Sequence, residues 1–152
     1  MYSSADKVEQ EVLDLIPQRD PFLFVDKILD ATDSQIITQY QVTGEEDFFK
    51  GHFPNNPIMP GVLLQEAMFQ SGALLMGKLD QSEGQKDNKK TGVVTRVQDV
   101  KFKNFVKPGD LLEMEVTHKD TLANAFYFSG KTKVNSKVVM AISFTGALVE
   151  NP

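Results

Sequence analysis

In a chain of 152 residues with two histidines and no cysteine, one stretch concentrates the side chains able to move protons. GHFPNNPIMPGVLLQEAMFQ, residues 51–70, sets His52 among Pro54, Pro57 and Pro60, then opens an apolar helix bearing a lone carboxylate, Glu66. Free imidazole titrates near about 6.5, so its neutral form is available at pH 7 as a base. The prolines restrict the backbone on either side of the ring and so limit how far it wanders. Gly61 falls at the expected helix start, where main-chain N–H groups are unpaired and the dipole is positive. Such donors can hold charge developing on a carbonyl oxygen, and glycine lets a ligand approach closely.

An acid is the third requirement of such chemistry. A glutamic acid of ordinary pKa, about 4.3, is protonated in only about one molecule in 500 at pH 7. Holding the proton means raising that value to about 7, roughly 3.7 kcal/mol, which burial among Val62, Leu63 and Met68 can supply. Gln70, one turn further on, can hydrogen-bond the carboxyl group and orient it. Plainer alternatives stand beside these: His52 as a loop residue, and Glu66 reaching solvent or pairing with Arg96. Glu66 lies about 8 Å along the helix axis from Gly61, and spacing alone does not say whether the loop brings His52 to it.

The elements that must position these groups are legible from periodicity. Val8, Val12, Leu15 and Ile16 predict a short amphipathic helix over 5–16, ended by Pro17. FLFVDKILDA (22–31) and QIITQYQV (35–42) read as strands joined through a turn-forming DATDS, hence a hairpin. Residues 43–60 form a long non-repetitive loop, a type that is often functional. A helix over 61–79, apolar on most faces, is expected to be buried by a sheet or shared with a partner subunit. It gives way to a polar loop over 80–90, and beyond that the chain reads as four strands. TGVVTRVQDVKF (91–102) is β-rich, KPGD (107–110) turns, and Leu112, Met114 and Val116 alternate with Glu113 and Glu115. Phe126, Phe128, Thr132 and Val134 share one face of the next segment, and Val138, Met140, Ile142 and Phe144 one face of the last. Period-two alternation means antiparallel strands with one face buried. The expected fold is one α+β domain over 1–152, an antiparallel sheet curled around one long helix.

Composition removes several classes of function. Without cysteine there are no disulfides, thiolate nucleophiles or sulfur-ligated metals, and His52 and His118 are too few for a histidine-rich metal site. Glu45, Glu46 and Asp47 alone do not make a hard-cation loop, so no metal is expected. A net charge of −5 argues against general nucleic-acid binding. MYSSADKVEQEVLDLIP has no signal-peptide pattern, and the apolar stretch at 58–77 is interrupted by Pro60, Glu66 and Gln70. A cytoplasmic protein without a membrane span is therefore expected. His118 reads as a solvated strand end.

The 51–70 segment resembles the active-site segment of the β-hydroxyacyl-acyl-carrier-protein dehydratases of the FabZ type, with His, Pro, Pro, Gly and Glu at that family's spacing. IPQRDPFLFVDKI (16–28) is similar to its opening and VKFKNFVKPGDLLEMEV (100–116) to its later strand–turn–strand. Gln18 and Asp20 depart from it, standing where the family usually has His and Tyr, and this leaves the contacts of the first loop open. The resemblance implies a hot-dog fold, cofactor-free dehydration of 3-hydroxyacyl-acyl carrier protein to the trans-2-enoyl thioester in fatty-acid elongation, and a homodimer, or a trimer of dimers, sharing two sites. It implies His52 as base, Glu66 from the other subunit as acid, Gly61 and Val62 at the oxyanion, and Gln70 beside Glu66. A sister group that also isomerises the double bond carries Asp at the carboxylate position, so Glu66 favours plain dehydration. Arg96, Lys101, Lys103 and Lys107 form a basic run, read either as a solvated face or as a landing patch for acyl carrier protein and its phosphopantetheine arm. Two other readings remain at this point: a hot-dog thioesterase using Glu66 without His52, and a non-catalytic acyl-thioester binding module.

Overall fold

The computed structural model describes residues 7–84 and 89–152. A helix α1, Gln10–Leu15, precedes a hairpin of β1, Lys27–Ala31, and β2, Gln35–Gln41. A single 3₁₀ turn, Asp47–Lys50, interrupts the long loop before helix α2, Gly61–Ser82. Four strands follow: β3, Lys90–Phe102; β4, Leu111–Leu122; β5, Ala125–Val134; and β6, Lys137–Glu150. All six join in one antiparallel sheet of order β1-β2-β4-β5-β6-β3.

Helix α2 lies along the concave face of that sheet. Leu64, Ala67, Met68, Leu74 and Leu75 pack with Ile36, Met114, Val116, Met140 and Ile142, all buried. Thr38 on β2 donates to the Ser71 hydroxyl (2.7 Å), which itself donates to the Ala67 carbonyl (2.8 Å), so this buried polar pair is satisfied. Gly130 on β5 allows the closest approach. A Cβ there would lie 2.6 Å from the Glu115 carbonyl and overlap the end of Met68. Alternation places the core of β4, β5 and β6 as expected, with Val139 also buried.

Three expectations need revision. The first helix covers only 10–15 of the expected span, and residues 5 and 6 lie outside the described residues. Arg19 closes its end, donating to the Leu13, Ile16 and Gln18 carbonyls at 2.7–2.8 Å. Residues 22–26 are not strand. Leu23, Phe24, Val25 and Asp26 are consecutively buried, which no two-faced strand allows, and the Gln70 side chain on α2 supplies the hydrogen bonds a neighbouring strand would give. Helix α2 runs three residues past Leu79, and 85–88 of the expected loop fall outside the described residues. Of the two covers expected for α2, its own sheet takes only one side: Val62 is 69 % exposed, Ala73 is exposed, and Glu66, Phe69 and Met76 are half-buried along the same stripe.

Strand β3 ends the sheet with one long edge unpaired among the described residues, and Val93, Val94 and Val97 are exposed on it. Its pairing with β6 slips between Val94 and Arg96 and again between Gln98 and Lys101, with Asp99 at φ +53°. These two bulges interrupt period-two alternation.

Candidate active site

The loop before α2 fixes the His52 ring by main-chain closure. Ile58 N–H donates to the His52 carbonyl (3.0 Å), and the Ile58 carbonyl accepts from His52 Nδ1 at 2.8 Å. Phe53 and Asn56 bond each other reciprocally, at 3.0 and 3.2 Å, which pinches the FPNN turn shut. Met59 N–H then docks the loop on the Val106 carbonyl (2.8 Å). A carbonyl only accepts, so neutral His52 carries its proton on Nδ1 and presents the Nε2 lone pair. The Phe53 ring stacks on the imidazole, centroids 4.2 Å apart. Hydrogen bonding through Ile58 therefore holds the His52 ring. Proline stiffness alone does not, and composition offers no signal of a tautomer.

His52 opens into a cleft of about 370 Å³ whose walls include Gly61, Val62, Phe102, Asn104 and Phe105. At the start of α2, Leu63 and Leu64 N–H groups both bond the Pro60 carbonyl, whereas those of Gly61 and Val62 have no partner among the described residues. A Cβ at Gly61 would lie 2.9 Å from the exposed Phe102 ring, so a larger residue there would push that ring and reshape the cleft. A lone-pair base and two unpaired helix donors thus share one largely apolar cleft. That arrangement suits removal of a proton next to a carbonyl whose oxygen becomes negative.

Glu66 does not line this cleft, and no hydrogen bond joins it to His52. Its carboxylate accepts from Gln70 Nε2 at 3.3 Å, and no ion pair joins it to Arg96 among the described residues. Burial pushes the Glu66 carboxyl above the usual glutamate range, while the Gln70 hydrogen bond opposes that rise. Gln70 is fully buried. Its Oε1 accepts from Phe24 N–H (2.8 Å) and its Nε2 donates to the Phe22 carbonyl (3.1 Å) as well as to Glu66. It therefore ties the first loop, the helix and the carboxylate together.

Arg96, Lys101, Lys103 and Lys107 are all exposed. Lys101 lies on β3 and Lys103 just past its end at Phe102, with the Lys103 N–H still bonded to the Val139 carbonyl (2.8 Å). Lys107 sits in the turn closed by its own N–H on Asp110 Oδ2 (2.9 Å). His118 bonds Thr121 (2.7 Å) at the far end of the sheet. Among the described residues no three His, Asp or Glu side chains converge as a metal site needs, and no helix is long and apolar enough to cross a membrane. Phe53, Phe102, Asn104 and Phe105 are site residues that sequence reasoning missed. Only the aromatic FKNF run could have drawn attention to the last three.

An antiparallel sheet wrapped around one long helix, with a His on the loop entering that helix, is hot-dog architecture, and solved structures agree at the level of fold. The dehydratase heterocomplex ApeI:P from Xenorhabdus doucetiae superposes with a TM-score of 0.79 at 14 % identity, covering 92 % of this chain and 91 % of that one. A hypothetical thioesterase with coenzyme A from Streptococcus pneumoniae superposes at 0.60 and 12 % identity, over 82 % and 86 % of the two chains. A family model described as a FabA-like domain matches residues 16–143. The 3-hydroxyacyl-[acyl-carrier-protein] dehydratase FabZ of Caulobacter sp. (strain K31) is 42 % identical over 93 % of this chain and 86 % of its own length. That of Rickettsia bellii (strain OSU 85-389) is 39 % identical over 91 % and 93 %. The chain belongs to the FabA-like family, on its FabZ dehydratase branch.

Proposed function

We propose that this protein is a hydro-lyase that dehydrates 3-hydroxyacyl-acyl carrier protein to the trans-2-enoyl thioester in fatty-acid elongation, with no cofactor. The observation that carries the reading is the pinned tautomer of His52, its Nε2 lone pair free in a cleft that also holds two unpaired helix donors. Nε2 takes a proton from C2 of the substrate while the Gly61 and Val62 N–H groups bind the thioester oxygen. The electron pair forms the C2=C3 bond as the C3–O bond breaks, and the hydroxyl leaves as water with the proton of Glu66. Transfer of the imidazolium proton to Glu66 resets both groups. Burial of Glu66 supports its role as the acid, and Gln70 fixes which carboxyl oxygen is engaged.

In this reading Glu66 reaches the cleft from a second subunit. Support comes from its absence from the cleft of its own chain, the half-open stripe Val62–Glu66–Phe69–Ala73 and the unpaired β3 edge, a surface that proteins seldom leave bare. The assembly is a homodimer, with a trimer of dimers as the larger form, each chain one domain over 1–152. Acyl carrier protein lands on exposed Arg96, Lys101, Lys103 and Lys107, and the protein acts in the cytoplasm.

The test follows the conjugated enoyl absorbance of a crotonyl thioester with wild type, His52→Ala and Glu66→Gln. Loss of the band with wild type alone, without release of free thiol, supports the dehydratase. Loss of the band matched by an equal release of free thiol would replace it by a thioesterase, and no change at all by a binding module.

A further inference from the structure

The 102–106 segment brings to the His52 cleft a polar side chain that the acid–base chemistry leaves unused. Asn104 stands between Phe102 and Phe105, whose rings are 52 % and 70 % exposed, and all three line the cleft with His52 and Gly61. Its amide is not free to turn. Nδ2 donates to the Val138 carbonyl of β6 at 3.0 Å, and the main-chain N–H groups of Lys103 and Asn104 bond the Val139 carbonyl at 2.8 and 3.4 Å. Because a carbonyl accepts only, the NH₂ half must face β6, and the Oδ1 half is turned away from it. Oδ1 has no partner among the described residues. Asn104 therefore brings an anchored side-chain oxygen acceptor to the cleft wall, flanked by two aromatic rings.

Resting on the dehydratase reading, we infer that Asn104 Oδ1 accepts a hydrogen bond from the amide N–H nearest the sulfur of a pantetheine-type thioester, which makes Asn104 a specificity residue for the carrier arm. In such an arm two methylenes separate the thioester sulfur from a secondary amide. That N–H loses its water when the arm enters the cleft and needs an acceptor. His52 Nε2 is engaged with the C2 proton, and the Gly61 and Val62 N–H groups can only donate. Gln65 also lines the cleft, but among the described residues no hydrogen bond anchors its amide, so ordering it costs rotamer entropy that Asn104 has already lost. The flanking rings of Phe102 and Phe105 cover the methylenes.

The experiment compares two crotonyl thioesters, one of N-acetylcysteamine and one of O-acetyl-2-mercaptoethanol. They differ only in that an ester oxygen replaces the amide N–H. Hydration is followed at the enoyl band for wild type, Asn104→Ala and Asn104→Asp, and kcat/KM is read as an amide-to-ester ratio. One neutral hydrogen bond predicts a wild-type ratio of about three- to tenfold, expressed mainly in KM. Asn104→Ala brings the ratio to about one, and Asn104→Asp, which keeps acceptor oxygens, preserves it. A wild-type ratio near one overturns the inference whatever the variants do. An undiminished ratio in Asn104→Ala also overturns it and hands the role to another acceptor such as Gln65. Equal loss in both variants overturns it too, because the Val138 bond would then be the cause. Absence of turnover on either thioester by wild type would instead sink the dehydratase reading, and this inference with it.

Discussion

Replacing Gln70 by Leu should separate the stability of this site from its chemistry, and the structure allows both effects to be worked out. Gln70 makes three hydrogen bonds from a fully buried position. Leucine fills a similar volume and breaks all of them. The Phe24 N–H is buried and left orphaned, which costs about 1–3 kcal/mol. The Phe22 carbonyl belongs to a half-exposed residue and can turn to water, so its loss contributes roughly 0–1 kcal/mol. The expected total is about 2 kcal/mol, a fall of about 1 M in urea midpoint at an ordinary slope, measured at one protein concentration because assembly shifts midpoints. The chemical effect has its own direction. Gln70 donates to the Glu66 carboxylate and holds its pKa down against burial, so Gln70→Leu raises that pKa further. If Glu66 must be protonated to act, the rate falls as pH rises through that pKa, and the alkaline limb moves to higher pH in the variant. A midpoint shift under about 0.3 M would refute the accounting of the Phe24 bond. An unmoved alkaline limb in a folded variant would refute the coupling between Gln70 and an acidic Glu66.

Three further outcomes are expected. Gly61→Ala places a methyl 2.9 Å from the Phe102 ring. It should leave stability within about 1 kcal/mol, since helix propensity offsets the crowding, yet lower kcat/KM at least tenfold, with partial rescue by adding Phe102→Ala. Asp26 is buried and pushed up to about 6 from 3.8, with burial the main cause, opposed by the Gln41 N–H and Lys7. The native state therefore keeps the proton over a window in which the unfolded chain has lost it, and this residue's contribution to stability declines as pH rises from about 4 to about 6. Asp26→Asn should accordingly gain on wild type by about 3 kcal/mol across that window in urea unfolding, and a constant difference would contradict the raised value. Reversing charge at Lys101 or Lys103 should weaken turnover of acyl carrier protein while sparing small thioesters, and equal loss on both would remove these lysines from docking.

Local patterning determined much of this protein. The alternation Leu112–Met114–Val116 can bury only one face of β4, a proline-rich run cannot be helical, and α2 begins where Gly61 frees the chain after Pro60, so these elements were legible residue by residue. The proposed acid–base pair, His52 and Glu66, was equally visible, because a histidine among prolines and a carboxylate inside an apolar helix are both locally anomalous. What tertiary structure alone decided are contacts between residues far apart in the chain. The 22–26 segment has strand composition but loses its strand to the amide of Gln70, more than 40 residues away. The bulges of β3 come from its pairing with β6, so an alternation rule read along 91–102 cannot carry one face through the whole strand. The tautomer of His52 depends on where the Ile58 carbonyl comes to rest, and the wall of the cleft on how Phe102 and Asn104 fold back over Gly61. Periodicity records which face of an element meets water. It holds no information about which distant partner occupies the other face, and for this site that partner sets proton position, cleft shape and the separation of His52 from Glu66.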